Sequence, residues 1–90
     1  MMTAVFISSP FDKEMRFECK SFKTNNSKYG EVVILPKHRD SIFTINGGSN
    51  IEIQDNNDKK VCLAINENSV VKIDGDKILV FGEYKVIHNN

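Results

Sequence analysis

Apolar residues in this chain come in short runs of about five, and polar turn clusters break each run before it reaches helical length. Val, Ile and Phe dominate the runs, while Asn, Asp, Gly, Ser and Pro fill the gaps. β-Branched and aromatic side chains fit a pleated, half-buried surface better than a helix. No stretch keeps a sustained stripe at helical spacing. The pattern therefore constrains the chain to an all-β fold, a flattened β-sandwich or barrel of about eight to ten mostly antiparallel strands.

Along the chain, Thr3 to Ile7 predicts a first strand, closed by Ser8, Ser9 and Pro10, since proline has no N–H to give to a ladder. Met15 to Phe22 predicts a second, with Phe17 and Cys19 on one face and Arg16, Glu18 and Lys20 on the other. Lys23 to Lys28 reads as a polar loop. Glu31 to Leu35 is apolar on both faces and is expected to be the most deeply buried strand, ended by Pro36. Ser41 to Ile45 resumes the β pattern up to the turn Asn46-Gly47-Gly48. Ile51 and Ile53 alternate with polar neighbours, Asp55 to Asp58 turns the chain, and Val61, Leu63 and Ile65 return on one face. Val70 to Ile73 and Lys77 to Phe81 flank Asp74-Gly75-Asp76, a hairpin signal. Residues 1–83 are assigned to the sandwich and 84–90 to a C-terminal tail.

Ninety residues suffice for one domain. Twelve basic residues balance twelve acidic ones, whereas a nucleic-acid module of this size ordinarily shows a basic excess on one face. Lys20, Lys23, Lys28, Lys37 and Arg39 do cluster in sequence, either as a solvated surface or as a partner-facing patch. The apolar segment Met1 to Ile7 is too short for a secretory signal, and no apolar run approaches the roughly 20 residues that span a bilayer. With two cysteines, Cys19 and Cys62, a reducing compartment and buried thiols are expected.

Motifs that carry bond chemistry are missing from the sequence. The two histidines, His38 and His88, lie far apart, and neither cysteine has the neighbours of a zinc ribbon. A Cys–His nucleophile pair would need Cys19 or Cys62 brought beside His38, yet Cys19 falls on the apolar face, where burial makes a thiol inert. Gly47-Gly48 leads into a strand rather than a phosphate-binding helix. Asp74-Gly75-Asp76 lacks the remaining ligands of a calcium loop. Neither catalytic residues, metal nor cofactor are expected, and the composition reads as a binding domain.

The segment Gly30-Glu31-Val32-Val33-Ile34-Leu35-Pro36-Lys37-His38 resembles the signature of F-type ATP synthase epsilon subunits. In that family a glycine and an acid lead through an apolar strand into Leu-Pro-Gly-His. Glycine, acid, Leu-Pro and His fall in register here, while Lys37 stands where the family has glycine and Val33 where it has another. Arg39-Asp40 replace a frequent Ala-Pro, and the Ser-Gly-Gly expected near Asn66 to Ser69 is absent. Gly47 to Ile53 and the closing Lys77 to Glu83 also look like the family's strands, so the resemblance spans nearly the whole chain, with its specificity in the central segment.

The resemblance implies a non-catalytic central-stalk subunit that clamps the gamma subunit to the membrane c-ring for proton-driven ATP synthesis. Such a protein would lie peripherally on the cytoplasmic face of the bacterial inner membrane, without inserting into it. The c-ring contact is expected at Ser27, Lys28, Tyr29 and Glu31, and the gamma contact at His38, Arg39, Ile42 and Phe43. The c-ring residues and His38 are equally readable as ordinary solvated residues, and Phe43, where exposed, would be part of an apolar patch awaiting a partner. Family members usually continue into a C-terminal helical hairpin that can restrain rotation, and residues 84–90 are too short for one, so a coupling role without helical autoinhibition is expected. An unrelated all-β adaptor that binds a protein through a sheet edge is the alternative.

Overall fold

Burial along the chain alternates residue by residue, the mark of strands with one face on a core and one toward solvent. The computed structural model describes residues 2–8, 13–26 and 30–89. Its strands are β1 (Met2–Ser8), β2 (Lys13–Cys19), β3 (Ser21–Asn26), β4 (Gly30–Ile34), β5 (Ser41–Ile45), β6 (Asn50–Gln54), β7 (Lys60–Ile65), β8 (Ser69–Asp74), β9 (Lys77–Phe81) and β10 (Tyr84–Asn89). They form two five-stranded sheets. The first runs β2-β1-β9-β8-β5 and the second β10-β7-β6-β3-β4. All pairings are antiparallel except β1 with β9, which join the two ends of the chain in parallel. The expected all-β sandwich is the fold observed.

The inner faces meet in one core. Met2, Ala4 and Phe6 enter it from β1, Val71 and Ile73 from β8, and Ile78 and Val80 from β9. Phe22, Ile34, Ile51, Ile53, Leu63 and Ile65 face them from the second sheet. Phe6 is the aromatic centre, edge-on to Phe17 at 5.7 Å, stacked on Phe22 at 6.3 Å and tilted against Tyr84 at 5.4 Å. Pairs in these geometries contribute about 0.5–1.5 kcal/mol each beyond simple burial. Two polar side chains buried there are satisfied locally: Thr24 Oγ1 donates to the Asn50 carbonyl and Ser69 Oγ to the Glu67 carbonyl.

Five sequence expectations are corrected. Met15 to Phe22 is not one strand, because the chain bends at Lys20 and passes from the first sheet to the second. There the Lys20 N–H is held by the Gln54 carbonyl and its ammonium pairs with Asp58. Lys23 to Asn26 is strand rather than loop, since pairing on both sides of β3 outweighs its polar composition. Glu31 to Leu35 is not the most buried strand: successive side chains point to opposite faces of the sheet, so Ile34 enters the core while Val33 and Leu35 face solvent. Cys62 lies on the outer face of β7, only half-buried. The segment read as a C-terminal tail contains β10, which pairs with β7 around an irregularity between Val86 and His88.

Candidate interaction surfaces

The β3–β4 hairpin begins its return at Gly30, whose φ of +80° favours a residue without a side chain. Glu31 follows on the exposed face of β4, and its carboxylate lies 3.4 Å from the Lys23 ammonium across the hairpin. Ser27, Lys28 and Tyr29, the other expected c-ring residues, lie outside the described residues. Glu31 is thus an exposed acid already oriented by a neighbour, in a pair exposed enough to contribute at most about 1 kcal/mol.

After β4 the chain turns through Leu35-Pro36-Lys37-His38, closed by a hydrogen bond from the His38 N–H to the Leu35 carbonyl at 3.2 Å. Proline at the second position and a positive φ at the third, 69° at Lys37, are the geometry of a type II turn. Lys37 therefore takes a left-handed conformation that glycine adopts without strain. His38 Nδ1 lies 2.7 Å from the Arg39 carbonyl oxygen. A carbonyl can only accept, so Nδ1 carries the proton and Nε2 is left for solvent or a partner. Asp40 then fixes the entry to β5, its Oδ1 accepting from the Gly75 N–H of the β8–β9 turn at 2.9 Å.

His38 and Arg39, in the segment before β5, and Ile42 on β5 are all exposed, whereas Phe43 is not. Ile42 points outward with 67% of its surface exposed. Phe43 is half-buried and packs on the core, so it belongs to the scaffold and not to an exposed apolar patch.

Sequence reasoning missed the outer face of the first sheet. Register carries Ile42 through Lys72, Leu79 and Val5 to Arg16, and Thr44 through Val70, Phe81 and Ile7 to Glu14. Six of these ten residues are apolar; Val5 among them is buried, Ile7, Val70, Leu79 and Phe81 are half-buried, and Ile42 is exposed. The signal was present in β1 and β9, where apolar residues occupy both alternations, but only register shows that the two strands are neighbours.

Cys19 is fully buried, and burial first, then the Glu18 carboxylate, push its thiol up to about 11. Among the described residues no three His, Cys, Asp or Glu side chains gather as a metal site would require.

No family model and no curated protein matches the chain. Among solved structures, the chain is similar to a chain in the cryo-EM structure of the Euglena gracilis mitochondrial ATP synthase, described as OSCP/F1/c-ring in rotational state 1. The TM-score is 0.72 at 15% sequence identity, over 94% of this chain and 52% of the other. The chain thus spans about half the length of that relative in fold, and the likeness is one of architecture.

Proposed function

We propose that this chain is the β-sandwich portion of an epsilon-type central-stalk subunit of an F-type ATP synthase, coupling the gamma subunit to the c-ring. The observation that carries this reading is a coincidence of two independent signals. The segment Gly30 to His38 resembles the epsilon signature, and the fold matches, over nearly all its length, a chain from an F1/c-ring assembly. The glycine-acid start of that segment opens β4, and its Leu-Pro-Lys-His end forms a type II turn.

In this role the protein makes and breaks no bonds. It transmits torque, which asks for a stiff body with two separate contact surfaces. A double sheet packed at the density of a protein interior supplies the stiffness. Glu31 and the adjoining Ser27, Lys28 and Tyr29 are the proposed c-ring contact. His38, Arg39 and Ile42 are the proposed gamma contact, with Phe43 supporting them from the core side. The proposed setting is the cytoplasmic face of a bacterial inner membrane, reached through the complex. Rim charges at such contacts orient partners more than they bind them.

Co-expression with the gamma subunit of the same organism, followed by size exclusion, tests the reading. A stable one-to-one complex is the expected result. A folded chain that leaves a competent gamma subunit unbound would move the assignment to an unrelated sandwich adaptor.

A further inference from the structure

Between the turn that ends β4 and the start of β5, the chain passes through His38, Arg39 and Asp40, which belong to no strand and are all exposed. Backbone outside a ladder keeps its conformational freedom unless some other contact removes it. Two contacts here are local: the His38 N–H donates to the Leu35 carbonyl, and His38 Nδ1–H donates to the Arg39 carbonyl. They shape the segment without setting its direction relative to the sandwich. The third is long-range. Asp40 Oδ1 accepts from the Gly75 N–H at 2.9 Å, across 35 positions of sequence. Among the described residues, no other hydrogen bond or ion pair ties His38, Arg39 or Asp40 to another element.

The geometry of the β8–β9 turn leaves Gly75 ready to give that bond. Gly75 and Asp76 are the two-residue loop between the strands, and φ is positive at Gly75 but not at Asp76, as in a type II′ turn. Asp74 and Lys77 close the ladder on either side, so the N–H of the first loop residue has no ladder partner. The loop is itself anchored, because the Asp76 carbonyl accepts from the Thr3 N–H of β1 at 2.9 Å. Asp40 thus ties a segment without secondary structure to a turn held by β1, β8 and β9.

We infer that Asp40 is a positioning residue for the partner contact: through its bond to Gly75 it sets where His38 and Arg39 stand relative to Ile42. This deepens the proposed function and rests on it, since the partner is the gamma subunit proposed to meet those three residues. Asp40 acts through its neighbours and not by touching the partner. With Nδ1 of His38 engaged by Arg39, Nε2 is the nitrogen a partner meets, and its place follows the backbone that Asp40 holds. A segment already ordered in the free chain loses little freedom on binding. One cut loose has to be ordered again as the complex forms, and the affinity falls by that cost.

Two variants of the full chain test this. Asp40→Ala removes the acceptor, whereas Asp40→Asn keeps an oxygen acceptor there without the charge. Exchange of the Gly75 amide, followed by NMR, should quicken about threefold or more in the alanine variant and stay near the parent's in the asparagine one. Affinity for the gamma subunit of the same organism should fall about three- to tenfold with alanine and hold with asparagine. His38→Ala should weaken the parent's binding by more than it weakens that of Asp40→Ala, because a side chain no longer held in place has less to lose. An asparagine variant that protects Gly75 yet binds as weakly as the alanine one would put the charge on the partner itself, and overturns the positioning role. So does an alanine variant that binds like the parent, and so do costs that simply add across His38 and Asp40; the rotor assignment survives all three. A folded parent chain that leaves a competent gamma subunit unbound overturns that assignment and this inference with it.

Discussion

Gly82 lies so close to Ser69 that a β-carbon on the glycine would stand 2.0 Å from the serine hydroxyl and 2.7 Å from its β-carbon. The approach follows from register: Val70 faces Phe81, so the residues just outside that pair are pressed together where the chain leaves β9 for β10. Ser69 cannot swing aside freely, because it is buried and its hydroxyl donates to the Glu67 carbonyl at 2.9 Å. Gly82→Ala is therefore expected to cost about 1–3 kcal/mol, the usual range for forcing a methyl into a packed site. Combining it with Ser69→Gly should recover part of that loss, and only part, since the bond to Glu67 goes with the hydroxyl. Urea denaturation of the two single variants and the double one measures the coupling; additive costs would show that the two residues do not collide.

Lys37 provides a prediction of opposite sign. Its φ of 69° costs a non-glycine residue about 1 kcal/mol or more, and nothing in the turn compensates beyond the bond from His38 to Leu35. Lys37→Gly should raise stability by about 0.5–1 kcal/mol, the gain being reduced by glycine's greater freedom in the unfolded chain. Lys37→Val, β-branched and intolerant of this region, should lower it. Thermal melts of the three proteins give the order, and a valine variant as stable as the parent would mean the turn is not of this type.

The thiol of Cys19 makes stability depend on pH above neutrality. Its folded pKa is raised to about 11 from an ordinary 9.0, through burial and then the nearby Glu18 carboxylate. Below about pH 9 both folded and unfolded chains keep the proton, and this group adds no pH dependence. Between about pH 9 and 11 the unfolded chain loses it while the folded one does not, so stability falls by up to about 1.4 kcal/mol per pH unit. Cys19→Ala should remove that part of the slope. At pH 8 a thiol reagent should label half-exposed Cys62 in the folded protein and reach Cys19 only on unfolding, which equal labelling rates would contradict.

The parts of the fold legible in the sequence were those set by local chemistry. Gly75 with φ +63° makes the β8–β9 turn, and Asp55 caps the β6–β7 turn with its Oδ1 accepting from the Asn57 and Lys59 N–H groups. Ile51, Ile53, Leu63 and Ile65 are buried as their alternation requires. What could not be read there depends on neighbours. Lys23 to Asn26 looks like loop until β4 and β6 pair with it, and Val33 looks buried until its face of β4 proves to be the one turned to solvent. The same holds for the candidate surfaces. His38, Arg39 and Ile42 were found through a resemblance, whereas the rows joining Ile42 to Leu79 and Val70 to Ile7 exist only once five strands are in register.

Adjacent residues of β4 separate burial from composition in one experiment. Ile34 is wholly buried against the core and Val33 is 47% exposed on the outer face, although both are β-branched apolar residues of the same strand. A charge at Ile34 loses about 1.5–3 kcal/mol of apolar burial and must also be desolvated without a partner, or stay neutral at a further cost. A domain of this size holds only about 5–13 kcal/mol of stability in total, so Ile34→Glu should leave the chain largely unfolded. Val33→Glu should stay within about 1 kcal/mol of the parent, because its side chain remains in water and Lys23, directly across the hairpin, offers an opposite charge. Circular dichroism melts of the two variants decide the matter. Equal destabilisation by both would place β4 inside the sandwich, with a further strand covering its outer side.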